Sequence, residues 1–145
     1  MDIHALVVDD SGIMRKMVMR SLREAELANF VFTEAVDGQD GLDKFDPDKM
    51  GMVFADWNMP NMSGIDMVRE IRRKQKKHVP IVMITTEGTM GKVEEALDTA
   101  GVDGYVVKPF TVDTLQKKLT PLFDKLSDAQ GKSKGFFGKL ADKFA

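Results

Sequence analysis

The chain of 145 residues contains no cysteine. Disulfides, thiolate zinc sites and cysteine nucleophiles are therefore excluded. Only two histidines occur, His4 and His78, and their wide separation gives no reason to expect a histidine-based metal site. No apolar run approaches the ~20 residues of a membrane span. The opening Met1-Asp2-Ile3-His4 has neither the basic start nor the apolar core of a secretory signal. A cytoplasmic protein is expected. There is no basic excess either: 21 Lys and Arg stand against 23 Asp and Glu, for a formal charge of -2. A general phosphate-backbone binder would show a clear basic surplus, so no DNA partner is expected. Gly-x-x-x-x-Gly-Lys-Ser/Thr is missing, which excludes a P-loop nucleotide site.

What is present is an ordinary globular balance, 43% hydrophobic and 30% charged, at a length that suits one domain with a real core. Five short apolar runs stand out: residues 5–8, 30–32, 52–55, 81–84 and 105–107. Most are uninterrupted, as strands buried on both faces are. Stretches of helical spacing lie between them. Ile13, Met14, Met17, Val18, Ser21 and Leu22 share one face. So do Ile65, Val68 and Ile71, then Val93, Ala96, Leu97 and Ala100, then Leu115, Leu119 and Leu122. Residues 37–45 form a weaker helix candidate. Ser63 with Asp66 suggests a capping box, Thr111 a cap for the last helix, and Gly101 a stop for the one before it. Pro121 implies either a kink or a restart of the last helix. Alternating strands and helices predict an α/β fold, a five-stranded parallel sheet, doubly wound, with helices on both faces. The expected domain spans residues 1–127. Residues 128–135 read as a polar linker and 136–145 as a short amphipathic tail helix.

In such a sheet function gathers at the carboxyl ends of the strands. The first run ends in Asp9-Asp10, the third in Asp56, the fourth in Thr85 and the fifth in Lys108-Pro109. Each alone has a bland explanation, as a helix cap or a solvated lysine. Together, three carboxylates would repel one another and raise each other's pKa. A hard divalent cation resolves that conflict, and Mg²⁺ suits carboxylates combined with phosphate oxygens. Lys108 and Thr85 complement a phosphoryl group.

Asp9-Asp10, Asp56-Trp57-Asn58-Met59-Pro60, Thr85 and Lys108-Pro109-Phe110 resemble the signature of response-regulator receiver domains, over about residues 2–127. Within that family the Asp-Trp-Asn-Met-Pro stretch, residues 84–87 and residues 104–110 are most similar to the chemotaxis (CheY) branch. The resemblance implies the roles that follow. Asp56 accepts a phosphoryl group from the phosphohistidine of a histidine kinase. Asp9, Asp10, Asp56 and the backbone carbonyl of Asn58 hold Mg²⁺. Lys108, after which a cis peptide bond is expected, contacts the phosphoryl oxygens. Thr85 and Tyr105 act as the switch, and Asn58 and Glu87 flank the acyl phosphate and set its short lifetime. It implies a phosphoacceptor that promotes its own phosphoryl transfer and self-dephosphorylation rather than a turnover enzyme. Its output is then a phosphorylation-dependent protein target, a flagellar motor switch among the options.

A haloacid-dehalogenase-type phosphatase would need Asp-x-Asp after the first strand, where the chain reads Asp9-Asp10-Ser11-Gly12. Residues 128–145 are too short for a helix-turn-helix effector. A phosphate sink, or a regulator docked to a non-motor target through its tail, stands as the alternative output. Two features depart from the CheY pattern. One is the glycine-rich 88–91 stretch, which reads as slightly long. The other is the tail. Its lysines 132, 134, 139 and 143 against Asp142 leave the last fifteen residues at +3 and the body at -5. Phe136, Phe137, Leu140, Ala141 and Phe144 line one helical face. A helix this short is marginal alone, so a helix-binding protein partner is expected for it, in preference to a membrane.

Overall fold

The computed structural model describes residues 1–74 and 77–131, with side chains to residue 128. The linker and tail positions beyond 131 lie outside the described residues. The elements alternate strictly. β1 (Asp2–Val8) leads to α1 (Gly12–Glu24), β2 (Asn29–Ala35) to α2 (Gly38–Lys44), and β3 (Met52–Ala55) to α3 (Gly64–Lys74). β4 (Ile81–Thr85) is followed by α4 (Met90–Glu94), which runs straight on into a π-helical segment, Glu95–Ala100. β5 (Gly104–Val107) and α5 (Val112–Gly131) complete the order. All pairings are parallel, in the order β2-β1-β3-β4-β5.

The period of two along the strands divides the core. Leu6 and Val8 of β1 face one way with Val53, Ala55, Ile81 and Met83, against Ile65, Val68 and Ile71 of α3 and Ala96 and Ala100 of the π segment. Ile3, Ala5 and Val7 face the other way with Phe54, Val82 and Val106, against Val18 and Leu22 of α1 and Leu115, Leu119 and Phe123 of α5. Each central strand is thereby covered on both faces, which explains why runs 52–55 and 81–84 are unbroken.

Several expectations are corrected by the packing. β2 is an edge strand, so only its Phe30 and Ala35 are buried and Val31 is exposed instead of covered on both sides. On α1 the stripe that reaches the sheet runs through Val18, Met19 and Leu22, while Ile13 is 82% exposed and Met17 43%. The apolar arc of α1 is wider than the surface available to cover it. Leu97 turns outward because the wider π register rotates the segment, with Gly101 and Val102 amides both bonding Ala96 O at 3.0 Å. Phe123 takes the core position that spacing assigned to Leu122, which is only partly buried. α5 passes through Pro121 and continues to Gly131, so residues 128–131, read as linker, are helical.

Local punctuation follows the sequence. Ser63 Oγ accepts from the Asp66 amide, Thr111 Oγ1 from Thr114, and Gly101 takes φ +87° after the π segment. Asp37 caps α2 by accepting from the Asp40 amide.

Candidate functional site

The strands end together at one edge. The β1–α1 loop presents Asp9 and Asp10, the β3–α3 loop Asp56 and Asn58, the end of β4 Thr85, the β4–α4 loop Glu87, and the β5–α5 loop Lys108. Crossing between neighbouring strands brings these segments side by side, although Asp9 and Lys108 are 99 residues apart.

Asp9, Asp10 and Asp56 can each aim one carboxylate oxygen at a common point, with those oxygens within 4.8 Å of one another. Asp9 is buried, Asp10 exposed and Asp56 between the two. Asp9 uses both carboxylate oxygens: Oδ1 accepts from the Ser11 amide at 2.9 Å, and Oδ2 from Lys108 Nζ at 3.0 Å. Lys108 Nζ also lies 3.9 Å from Asp56 Oδ2, and its side chain is 6% exposed. The Lys108-Pro109 peptide is cis, as expected. Asp56 Oδ1 accepts from the Trp57 amide at 2.8 Å. Burial pushes the Asp56 carboxyl above its ordinary value, against the Thr85 hydroxyl, the Lys108 ammonium and the Trp57 amide, which favour the charged form.

The rim is built by the β4–α4 loop. Asn58 Nδ2 donates to Glu87 Oε1, closing one side of the mouth. Thr85 is fully buried, and its Oγ1 accepts from the Glu87 amide at 3.3 Å. The Tyr105 hydroxyl donates to the Glu87 carbonyl, so Thr85 and Tyr105 meet the same loop residue. Burial, then the charges of Glu87 and Asp56, push the Tyr105 hydroxyl up to about 12.

The donor set fits Mg²⁺. A cation with ~2.1 Å oxygen bonds spans ligands about 3 to 4.2 Å apart in octahedral geometry. A 4.8 Å cluster of three carboxylate oxygens needs only slight contraction, or a water, to meet that. All donors are hard oxygens, and no soft ligand lies among them.

All eight residues singled out from the sequence therefore converge on this edge. Others are legible only in three dimensions. Gly64 packs so tightly that a Cβ there would sit 1.8 Å from the Asp56 carbonyl oxygen. Only glycine lets α3 approach the strand end that carries Asp56. Lys92 of α4 places its Nζ 4.6 Å from the centre of the buried Trp57 ring. Asn61, at φ 66°, donates to Asp37 at 2.7 Å and anchors the β3–α3 loop to α2. Arg15 of α1 donates to Asp9 O at 2.6 Å and to Glu34 Oε1 at 2.9 Å.

Comparison with known proteins gives the same answer. The family model described as response regulator receiver domain matches residues 5–120. The chemotaxis protein CheY-3 of Vibrio cholerae is 43% identical over 122 residues, covering 83% of this chain and 92% of that protein. The structure of the chemotaxis response regulator CheY4 of Vibrio cholerae superimposes with a TM-score of 0.71 at 35% identity, covering 83% and 98% of the two chains. CheY in a CheX-CheY-BeF3-Mg²⁺ complex from Borrelia burgdorferi reaches 0.74 at 25% identity, over 83% and 89%. With its acids, hydroxyl and lysine gathered at one sheet edge and a family model matched along most of its length, this chain belongs to the response regulator receiver domains.

Proposed function

We propose that the protein is the phosphoacceptor of a two-component system, phosphorylated on Asp56. The observation that carries this reading is the triad of carboxylates with Lys108 Nζ set between Asp9 and Asp56. An Asp56 oxygen attacks the phosphorus of a kinase phosphohistidine. The P–O bond forms as the P–N bond breaks, and the imidazole leaves with the nitrogen lone pair and takes up a proton. Asp9, Asp10 and Asp56, with the Asn58 carbonyl, would hold Mg²⁺, which when bound would neutralise charge on the transferring group. Lys108 holds the phosphoryl oxygens electrostatically, and its pairing with Asp9 fixes it in place beforehand. Asn58 and Glu87, joined across the mouth, control the approach of water to the acyl phosphate. The acceptor chemistry is stoichiometric, and self-hydrolysis of a short-lived acyl phosphate ends it.

The output is chemotaxis-type regulation of a protein target. The likeness to CheY-3 supports it, as does the Thr85–Glu87–Tyr105 arrangement. New phosphoryl oxygens draw the Thr85 hydroxyl, the loop follows through the Glu87 amide, and Tyr105 follows through the Glu87 carbonyl. A local charge event thereby biases the α4–β5–α5 face. The partners of this reading are a histidine kinase and a target that reads that face, the flagellar switch being the first to test.

The test is intact mass after incubation with Mg²⁺ and a small acyl phosphate. One phosphoryl adduct is expected on wild type, none on Asp56→Asn, and none with chelator present. An adduct on Asp56→Asn equal to wild type would refute the assignment.

A further inference from the structure

Helix α1 carries no acid in its first turn, where acids favour the positive end of the helix dipole. It carries Arg15 there instead, with a side chain only 14% exposed. That charge is badly placed for the helix itself. Its guanidinium folds back over Gly12, where an added Cβ would lie 3.3 Å from Arg15 Nη2. Nη1 donates to the Asp9 carbonyl at 2.6 Å, and Nε donates to Glu34 Oε1 at 2.9 Å. Glu34 belongs to β2, whose backbone also receives the Asp9 amide at 3.1 Å, through Ala35 O.

The carbonyl that Arg15 holds belongs to the Asp9–Asp10 peptide plane. A peptide is rigid, so fixing its oxygen fixes the orientation of the plane and with it the direction in which Asp10 leaves the chain. Asp9 is pinned at its amide, its carbonyl and both carboxylate oxygens. Asp10 is exposed and has no such set of restraints. Arg15 supplies the restraint through the backbone.

We propose that Arg15, braced by Glu34, is a positioning residue for the cation pocket: it sets the Asp9–Asp10 peptide plane so that Asp10 faces Asp9 and Asp56. This rests on the reading of the three carboxylates as a Mg²⁺ site. The guanidinium fork suits the task, because two donors at fixed spacing meet a carbonyl and a carboxylate at once. A lysine keeps the charge but presents a point donor that cannot bridge both. Charge alone predicts the opposite sign, since a cation beside the pocket repels Mg²⁺.

The experiment is a Mg²⁺ titration by calorimetry, with Trp57 fluorescence in parallel, on wild type, Arg15→Lys and Arg15→Met. Arg20→Lys, altering an exposed pair with Glu24 on the same helix, is the control. Groups that orient metal ligands typically cost 10- to 100-fold in affinity when removed. Both Arg15 variants should bind Mg²⁺ about tenfold more weakly, and the control should match wild type. Phosphorylation of Arg15→Lys should recover at high Mg²⁺, because the acceptor chemistry is intact. An Arg15→Lys affinity equal to wild type, or an Arg15→Met affinity tighter than wild type, overturns the proposal and leaves the pocket assignment standing. A wild type that binds no Mg²⁺ sinks the pocket assignment, and the proposal with it. Urea melts in chelator show that each variant is folded.

Discussion

Replacing the proposed acceptor should make the metal-free protein more stable. Asp56→Asn removes a charge whose side chain is 16% exposed and lies near two other acids. Lys108 at 3.9 Å attracts the carboxylate by about 1–4 kcal/mol, taking the effective dielectric between water and the protein surface. Each neighbouring acid, with oxygens within 4.8 Å, repels it by roughly 1–3.5 kcal/mol. The two acids together outweigh Lys108, the Thr85 hydroxyl and the Trp57 amide offset that remainder, and the cost of burial is the first reason the Asp56 carboxyl sits above its ordinary value. Relieving it should stabilise by about 1–2 kcal/mol, the lower part of the range for a buried polar group without full compensation. The sign follows from linkage. A raised carboxyl pKa in the fold means that the unfolded chain loses its proton first as pH rises. Stability then falls between the ordinary carboxylate pKa and the folded value, and stays low above it. The asparagine variant lacks that fall. Urea unfolding in chelator should show no difference from wild type near pH 3 and the full advantage of Asp56→Asn at pH 7. Saturating Mg²⁺ should reverse the order, because wild type alone has the complete ligand set, and binding at 100 times the dissociation constant stabilises by ~2.7 kcal/mol. If Asp56→Asn is less stable than wild type at pH 7 in chelator, burial does not outweigh Lys108, Thr85 and the Trp57 amide, and the reasoning fails.

Gly64→Ala forces a methyl against the Asp56 carbonyl, so the urea midpoint should drop by an amount worth about 1–3 kcal/mol or more, with slower Asp56 phosphorylation; a neutral result would show that α3 can withdraw freely. Thr85→Ala should still take the phosphoryl group on Asp56 while losing most phosphorylation-dependent target affinity, and unchanged coupling would remove Thr85 from the switch. Tyr105 is the sole tyrosine, so absorbance titration reads it alone. It should ionise near pH 12 in the folded protein, and a midpoint at the ordinary value near 10 would mean its hydroxyl does not rest on Glu87.

The strands and the acids were legible from residue order because both are local. An apolar run of four or five residues states its own burial, and a carboxylate after it is placed by topology at the shared edge of a parallel sheet. That is why Asp9, Asp10, Asp56, Thr85 and Lys108 could be picked out without coordinates. Helix faces were less legible. Ile13 and Met17 continue the apolar arc of α1, and only the width of the neighbouring sheet and α5 decides that the arc is covered from Val18 and Met19 onward. Leu97 is displaced by a π turn that periodicity of 3.6 does not anticipate.

What the tertiary structure alone decided is how the edge is held. The fit of Gly64 to the Asp56 carbonyl, Lys92 over Trp57 and the Arg15–Glu34 brace under Asp9 are pairings across elements. Arg15 gave no signal in residue order, because its partner Glu34 lies 19 residues away on β2. Chemistry-bearing residue types are written in the chain because strand order carries them to one place. The contacts that aim them depend on close fits between backbones and side chains remote in sequence, and those exist only once the layers have packed.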